Sequence, residues 1–214
     1  MSLQALLWKD ARRELRSKES LQTGLVLVGL FAVVYLFSGT SLEGRLAALA
    51  LWIPLVFATA ALTGRGLAAE ADRGTLEWLR SLPVSPALHG VSRTLVDLVL
   101  AAGLTAATLL VLRYGFAVPV GAPLLLVAAL GVWGLTVVGA LTAGLAAQAR
   151  SRELLLPILL VPAAAPLLQS GMAATLDALT GSIDRTPLLL MAGYDLVATG
   201  IAWLLWPFVL EADG

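Results

Sequence analysis

Hydrophobic positions along this chain fall in long uninterrupted runs. Residues 20–42, 46–64, 114–149 and 154–176 contain no Asp, Glu, Lys or Arg. Each run approaches or exceeds the ~20 residues that carry an α-helix across a hydrocarbon core of ~30 Å. Two shorter runs, 98–112 and 196–210, reach that length only if their helices continue back past Asp97 and Asp195. The pattern predicts an all-α integral membrane protein, one transmembrane domain over 1–214, with spans at about 20–40, 45–64, 92–113, 122–149, 154–176 and 188–210. The alternating ten-residue segments of a membrane β-barrel are missing from the sequence.

Two polar stretches interrupt this pattern. In residues 2–18 a helical projection puts Leu3, Leu7, Ala11 and Leu15 on one stripe with Trp8 beside it, and Lys9, Arg12, Arg13 and Arg16 on the opposite side. Such a helix lies at the membrane surface, where each basic residue near anionic headgroups contributes about 1 kcal/mol. The second stretch, EADRGTLEWLRSLPVSPALHG from Glu70 to Gly90, lies between the second and third spans. Leu76, Leu79 and Leu82 recur at helical spacing with Trp78 nearby, and Pro83 ends the turn. Two turns of helix are not stable alone in water. The apolar face therefore needs a groove in a soluble partner or the protein's own membrane base, and Glu70, Asp72 and Glu77 disfavour an anionic bilayer.

Composition and charge fix the class and orientation. The chain is 59% hydrophobic and only 13% charged, against about a quarter charged in soluble domains. With the N-terminus inside, eleven of the fourteen Lys and Arg residues face the cytoplasm; Arg45, Arg113 and Arg185 lie outside. The positive-inside rule thus predicts cytoplasmic N- and C-termini. The opening MSLQALLWKDARREL is too charged for a signal peptide and is expected to be retained. There is no cysteine, and His89 is the one histidine, so no metal site or tightly bound cofactor is expected. Lys9 and Lys18 are the two lysines and neither follows a glycine-rich loop, which removes a Walker A phosphate cradle. The zero net charge says nothing in favour of nucleic acid.

Few groups inside the spans carry chemistry. Asp97 and Asp195 are intramembrane acids, functional candidates by default, unless their spans begin later and place them at an interface. With Arg113 and Arg185 on the outer side they are the polar groups available to a pathway. Pro157, Pro162 and Pro166 remove backbone donors from the fifth span and are candidate gating positions. Gly139 with Ala143 and Ala140 with Gly144 are small-residue pairs suited to helix contact, within the subunit or across a dimer.

At several places the residues resemble a known family. ALWIPLVFATAALTGRGLAAEADRGTLEWLRSLPVSP is similar to the second span and cytoplasmic loop of the CcmB family, the membrane subunit of the haem exporter of cytochrome c maturation. The opening LLWKDARRELRSKE, the proline-rich LLLPILLVPAAAPLL and the closing AGYDLVATGIAWLLWPFVLEAD resemble that family in the same order. The Gly-Thr-Leu-Glu core alone is shared more loosely with ABC-2 type permeases, whose architecture implies a re-entrant turn outside formed by Gln169 and Ser170 with residues 171–185, and Ser92–Arg93 stands where the family pattern suggests a lysine. The resemblance implies a homodimeric, non-enzymatic permease of the bacterial inner membrane. It implies a partner ABC ATPase (CcmA-like), which alone would bind ATP, gripping Glu70, Gly74, Thr75, Leu76, Glu77, Leu79 and Pro83, to which helical spacing adds Trp78. A haem-handling membrane protein (CcmC-like), a small helper and, indirectly, a haem chaperone (CcmE-like) complete the implied set. Haem is then cargo, either conducted outward or handled by a lever that releases haem-loaded chaperone. The scarcity of outer ligands favours the lever. A generic ABC-2 exporter of lipid or drug is the alternative.

Overall fold

A computed structural model of the chain describes residues 6–12, 19–39, 41–72, 86–147, 152–181 and 184–211. All regular structure among them is helical. A short helix α1 occupies residues 6–12. It is followed by α2 (Glu19–Phe37), α3 (Gly44–Asp72), α4 (Pro86–Gly115), α5 (Ala122–Ala147), α6 (Arg152–Thr180) and α7 (Thr186–Glu211).

Among the described residues, five helices hold stretches long and apolar enough to cross a bilayer: Gly44–Gly64, Gly90–Gly115, Ala122–Ala146, Leu154–Thr180 and Thr186–Phe208. The first of the six expected runs corresponds to a shorter apolar stretch, Leu21–Phe37. At 1.5 Å per residue it rises about 26 Å, just under the ~30 Å core. Neither Asp97 nor Asp195 stops its helix: α4 begins eleven residues before the first and α7 nine before the second.

The expected re-entrant turn over 171–185 is overturned, because α6 runs unbroken through Thr180. Thr175 and Thr180 return their hydroxyls to the carbonyls of Gly171 (2.7 Å) and Leu176 (2.9 Å), one turn back in the same helix. Gly181, at φ 73°, then closes it in the left-handed conformation that glycine adopts without strain. The charge at Asp177 marks where the apolar run ends, not where the helix does.

Helix α5 is the hub, packing against α3, α4, α6 and α7, whereas α2 touches α3 and α4 at the periphery. Of the α5 span 67% is buried, against 22% of the α7 span. Amphipathicity does not decide which helix is central, since apolar residues face both neighbours and lipid; small residues decide the packing instead. Trp52 of α3 is the wedge. Its indole is buried, donates to Thr175 Oγ1 at 2.9 Å, and lies so close to Gly131 and Gly171 that an added Cβ would come within 2.5 and 2.1 Å of the ring. Gly139 faces Thr63 of α3, 3.1 Å from where a Cβ would be. That glycine serves packing within the subunit.

Candidate functional site

The segment expected to grip an ATPase leaves the end of α3 and re-enters at α4. Glu70 lies in the last turns of α3; Gly74, Thr75, Leu76, Glu77, Trp78, Leu79 and Pro83 lie outside the described residues. Its downstream anchor is the first turns of α4, opened by Pro86, a residue suited to the first helical position.

Those first turns carry a buried polar knot. Ser92 and Asp10 are both fully buried, and the Ser92 hydroxyl donates to Asp10 Oδ2 at 2.7 Å. The Lys9 ammonium stands 3.1 Å from Asp10 Oδ1. One residue on, Arg93 grips Asp97 with a two-pronged fork, Nη2 to Oδ1 at 2.7 Å and Nε to Oδ2 at 3.2 Å, both side chains only 1% exposed. Two N–H groups meeting two carboxylate oxygens is the strongest ion-pair geometry available to these residues. Breaking a buried pair by removing one partner costs about 3–5 kcal/mol. Asp97 therefore acts as the partner of Arg93 in this arrangement.

The short helix α1 that supplies Asp10 has two distinct faces. Leu6 and Asp10, one turn apart, are both fully buried. Trp8 is exposed and carries the Arg12 guanidinium 4.6 Å above its ring, a cation–π contact that i,i+4 spacing allows. The expected division of this helix, with Trp8 on the apolar side and Arg12 opposite, is corrected: the two share one face, and the docked face is that of Leu6 and Asp10.

Asp195 sits in the middle third of α7, 5% exposed, with neither carboxylate oxygen hydrogen-bonded among the described residues. It is closed in by Gly134 of α5 and Leu167 of α6; a Cβ on Gly134 would lie 2.2 Å from Oδ1. Neighbouring donors are spent elsewhere. Thr199 Oγ1 donates to the Asp195 backbone carbonyl (2.6 Å), Trp133 Nε1 to Thr199 Oγ1 (3.0 Å) and Tyr194 Oη to the Ala163 carbonyl (2.6 Å).

On the side where α4 ends, Arg113 donates to the Val120 carbonyl at 2.9 Å and braces the 116–121 turn, in which Ala117 holds the left-handed φ of 54°. That conformation costs a non-glycine residue roughly 1–2 kcal/mol. The turn, Arg113 and the end of α6 at Ala178 and Leu179 surround a recess of about 570 Å³. Arg185 is exposed before α7. Beside it, Asp184 accepts the Thr186 N–H at 2.9 Å and caps α7, a bond that holds the Asp184 carboxyl below its ordinary range.

The four predicted polar groups do not converge. Asp97 and Arg113 are about 24 Å apart along one helix axis by residue count. Pro157, Pro162 and Pro166 all lie inside the continuous α6, exposed on its surface. Between α4, α5 and α7 runs a cleft of about 250 Å³ lined by residues such as Leu98, Trp133, Val137 and Trp206, below the ~300–1,000 Å³ of typical small-molecule sites. Its lining holds no charged residue and no His, Cys or Met.

Sequence reasoning missed the knot. Arg93 and Asp97 stand at i,i+4, a legible ion-pair spacing, but nothing local connects Asp10 to a serine 82 residues away.

Compared with known families, the sequence is matched along nearly its whole length by a family model. The model described as CcmB protein aligns with residues 1–212. This chain belongs to the CcmB family. It is therefore a multi-pass membrane component of the haem exporter for cytochrome c maturation, a permease subunit of an ABC exporter system that works with other Ccm components. No curated protein matches the chain.

Proposed function

We propose that this CcmB-family chain is a six-span, N-inside, homodimeric permease that works as a lever. A separate ATPase grips the segment from Glu70 to Pro83, and its ATP-driven motion releases haem-loaded chaperone from a neighbouring haem-handling protein. The observation that carries this reading is that three of the four polar groups a haem route would use are paired, enclosed or bracing a turn, and that the cleft beside them is apolar. Asp97 is taken by Arg93, Asp195 is closed behind Gly134 and Leu167, Arg113 braces an outer turn, and the cleft between α4, α5 and α7 is apolar. A rigid bundle wedged by Trp52 is suited to passing on displacement.

A second reading, a conduit for haem, draws on the Asp195 carboxylate, which has no hydrogen-bond partner among the described residues. The two part in sealed vesicles containing the permease and its ATPase alone. The lever predicts ATP hydrolysis without haem accumulation, and little change when Arg113→Gln and Arg185→Gln are combined. ATP-dependent haem accumulation that this double substitution weakens by about tenfold or more, as loss of charge-assisted bonds to the propionates implies, establishes the conduit.

A further inference from the structure

We infer that Asp10 and Ser92 latch α1 onto the start of α4, making the N-terminal helix part of the force-transmitting element instead of a membrane anchor alone. They are positioning residues for the coupling motion, an inference that rests on the ATPase-coupling reading above.

The two faces of α1 carry the inference. A helix that only anchored the chain would lay its apolar face on the bilayer and leave its acid in water. Here the face of Leu6 and Asp10 is fully buried, and the acid is held from α4 by the Ser92 hydroxyl at 2.7 Å, while Lys9 of α1 itself balances its charge from 3.1 Å. The opposite face presents Trp8 and Arg12 outward, stacked on one another, the pair suited to a membrane–water interface. The helix is thus bolted to protein on one side and seated among headgroups on the other.

The bolt is placed where motion enters. Ser92 lies six residues after Pro86, the first residue of α4 past the gripped segment, or about 9 Å along the helix. The next residue, Arg93, is forked to Asp97, so this part of α4 is stiffened by a side-chain pair as well as by its backbone ladder. Displacement passed to the start of α4 reaches Ser92 before it reaches the core. With Asp10 held there, α1 moves with α4, and its Trp8/Arg12 face sets the height of that end of α4 against the headgroups. If the latch is cut, the coupling segment still binds the ATPase, but part of the stroke is lost as tilting of α4 relative to the interface.

The test uses the full complex with its ATPase. Retention and ATP hydrolysis are read on the purified complex, and holocytochrome c formed per membrane-inserted complex is read in cells. Asp10→Leu is expected to retain the ATPase and hydrolyse ATP within about twofold of wild type, while holocytochrome c falls about tenfold. Asp10→Asn, which still accepts from Ser92, and Ser92→Thr, which keeps the hydroxyl, should recover most of that loss. A fold defect would instead lower insertion, hydrolysis and output together.

Where Asp10→Leu fails to insert, Ser92→Ala is the deciding variant, since it deletes only the donor. Unchanged output in Ser92→Ala, or an Asp10→Asn as defective as Asp10→Leu, overturns the latch. The chain has no cysteine, so Asp10→Cys with Ser92→Cys can also be joined by a short bifunctional thiol reagent. Unlinked, that double variant should lose output as Asp10→Leu does, and linking should restore it; a linked complex that stays as low as the unlinked one would mean that α1 must part from α4, against the inference. Leu79→Asp is the control for the underlying reading: if that variant keeps its ATPase, the coupling segment is misassigned whatever the latch variants do.

Discussion

Trp52 illustrates how one residue fixes three helices. A large flat side chain fits between α3, α5 and α6 only because Gly131 and Gly171 have nothing where a Cβ would strike the indole, and its polar N–H has a partner in Thr175. Gly171→Ala is therefore expected to destabilise the subunit by about 1–3 kcal/mol through overpacking. Combining it with Trp52→Phe should restore part of the loss, because the smaller ring vacates the contact. Thermal unfolding of the detergent-solubilised single and double variants checks this; additive effects would mean that the two positions do not share the contact. None of this is legible in the sequence. Trp52, Gly131 and Gly171 fall in runs whose composition says only that they are apolar, and pairing between runs is settled by shape. The Arg93–Asp97 pair is the opposite case, written in a four-residue spacing that any helix turns into a contact.

The apolar runs locate the elements because a bilayer imposes a length on every helix that crosses it. Ends are another matter. The fifth run stops at 176 because Asp177 follows, yet α6 continues to Thr180, since a helix end is set by backbone partners and a glycine closure more than by the first charge. The surface helix is legible along the chain but its faces are not, because the stripe of Leu7 and Ala11 assumes bilayer beneath it where protein lies beneath Leu6 and Asp10. The segment that gives the element its proposed task, Gly74 to Pro83, is tested by function. Leu79→Asp puts a charge on the apolar side of the proposed coupling helix, where an unpaired buried charge costs several kcal/mol. The variant is expected to insert in the membrane and lose at least about tenfold in ATPase co-purification. Full retention with Leu79→Asp and Trp78→Ala together would assign that helix to packing on the protein itself.

For the whole molecule, the charge asymmetry predicts an orientation that labelling can read directly, given a chain without native cysteine. Ser41→Cys and Thr186→Cys, beside the turns before α3 and α7, should react with an impermeant thiol reagent in intact cells. Ser81→Cys should react only after the membrane is opened. Labelling of Ser81→Cys in sealed cells would invert or break the six-span arrangement. The helices that arrangement uses are unequal in length. The charge-free run of α6, 154–176, covers 23 residues and the apolar stretch of α2 only 17, about 35 Å and 26 Å of rise against a hydrocarbon core of ~30 Å. α6 meets the bilayer beside α5 and α7, while α2 meets it beside α3 and α4. A long helix is accommodated by tilting or by local thickening, a short one by thinning, each at a fraction of a kcal/mol per Å. A single subunit therefore offers the bilayer unequal hydrophobic heights on two flanks, met by tilt or thickening at α6 and by thinning at α2, and a second copy that covered either flank would relieve that elastic strain without a single polar contact.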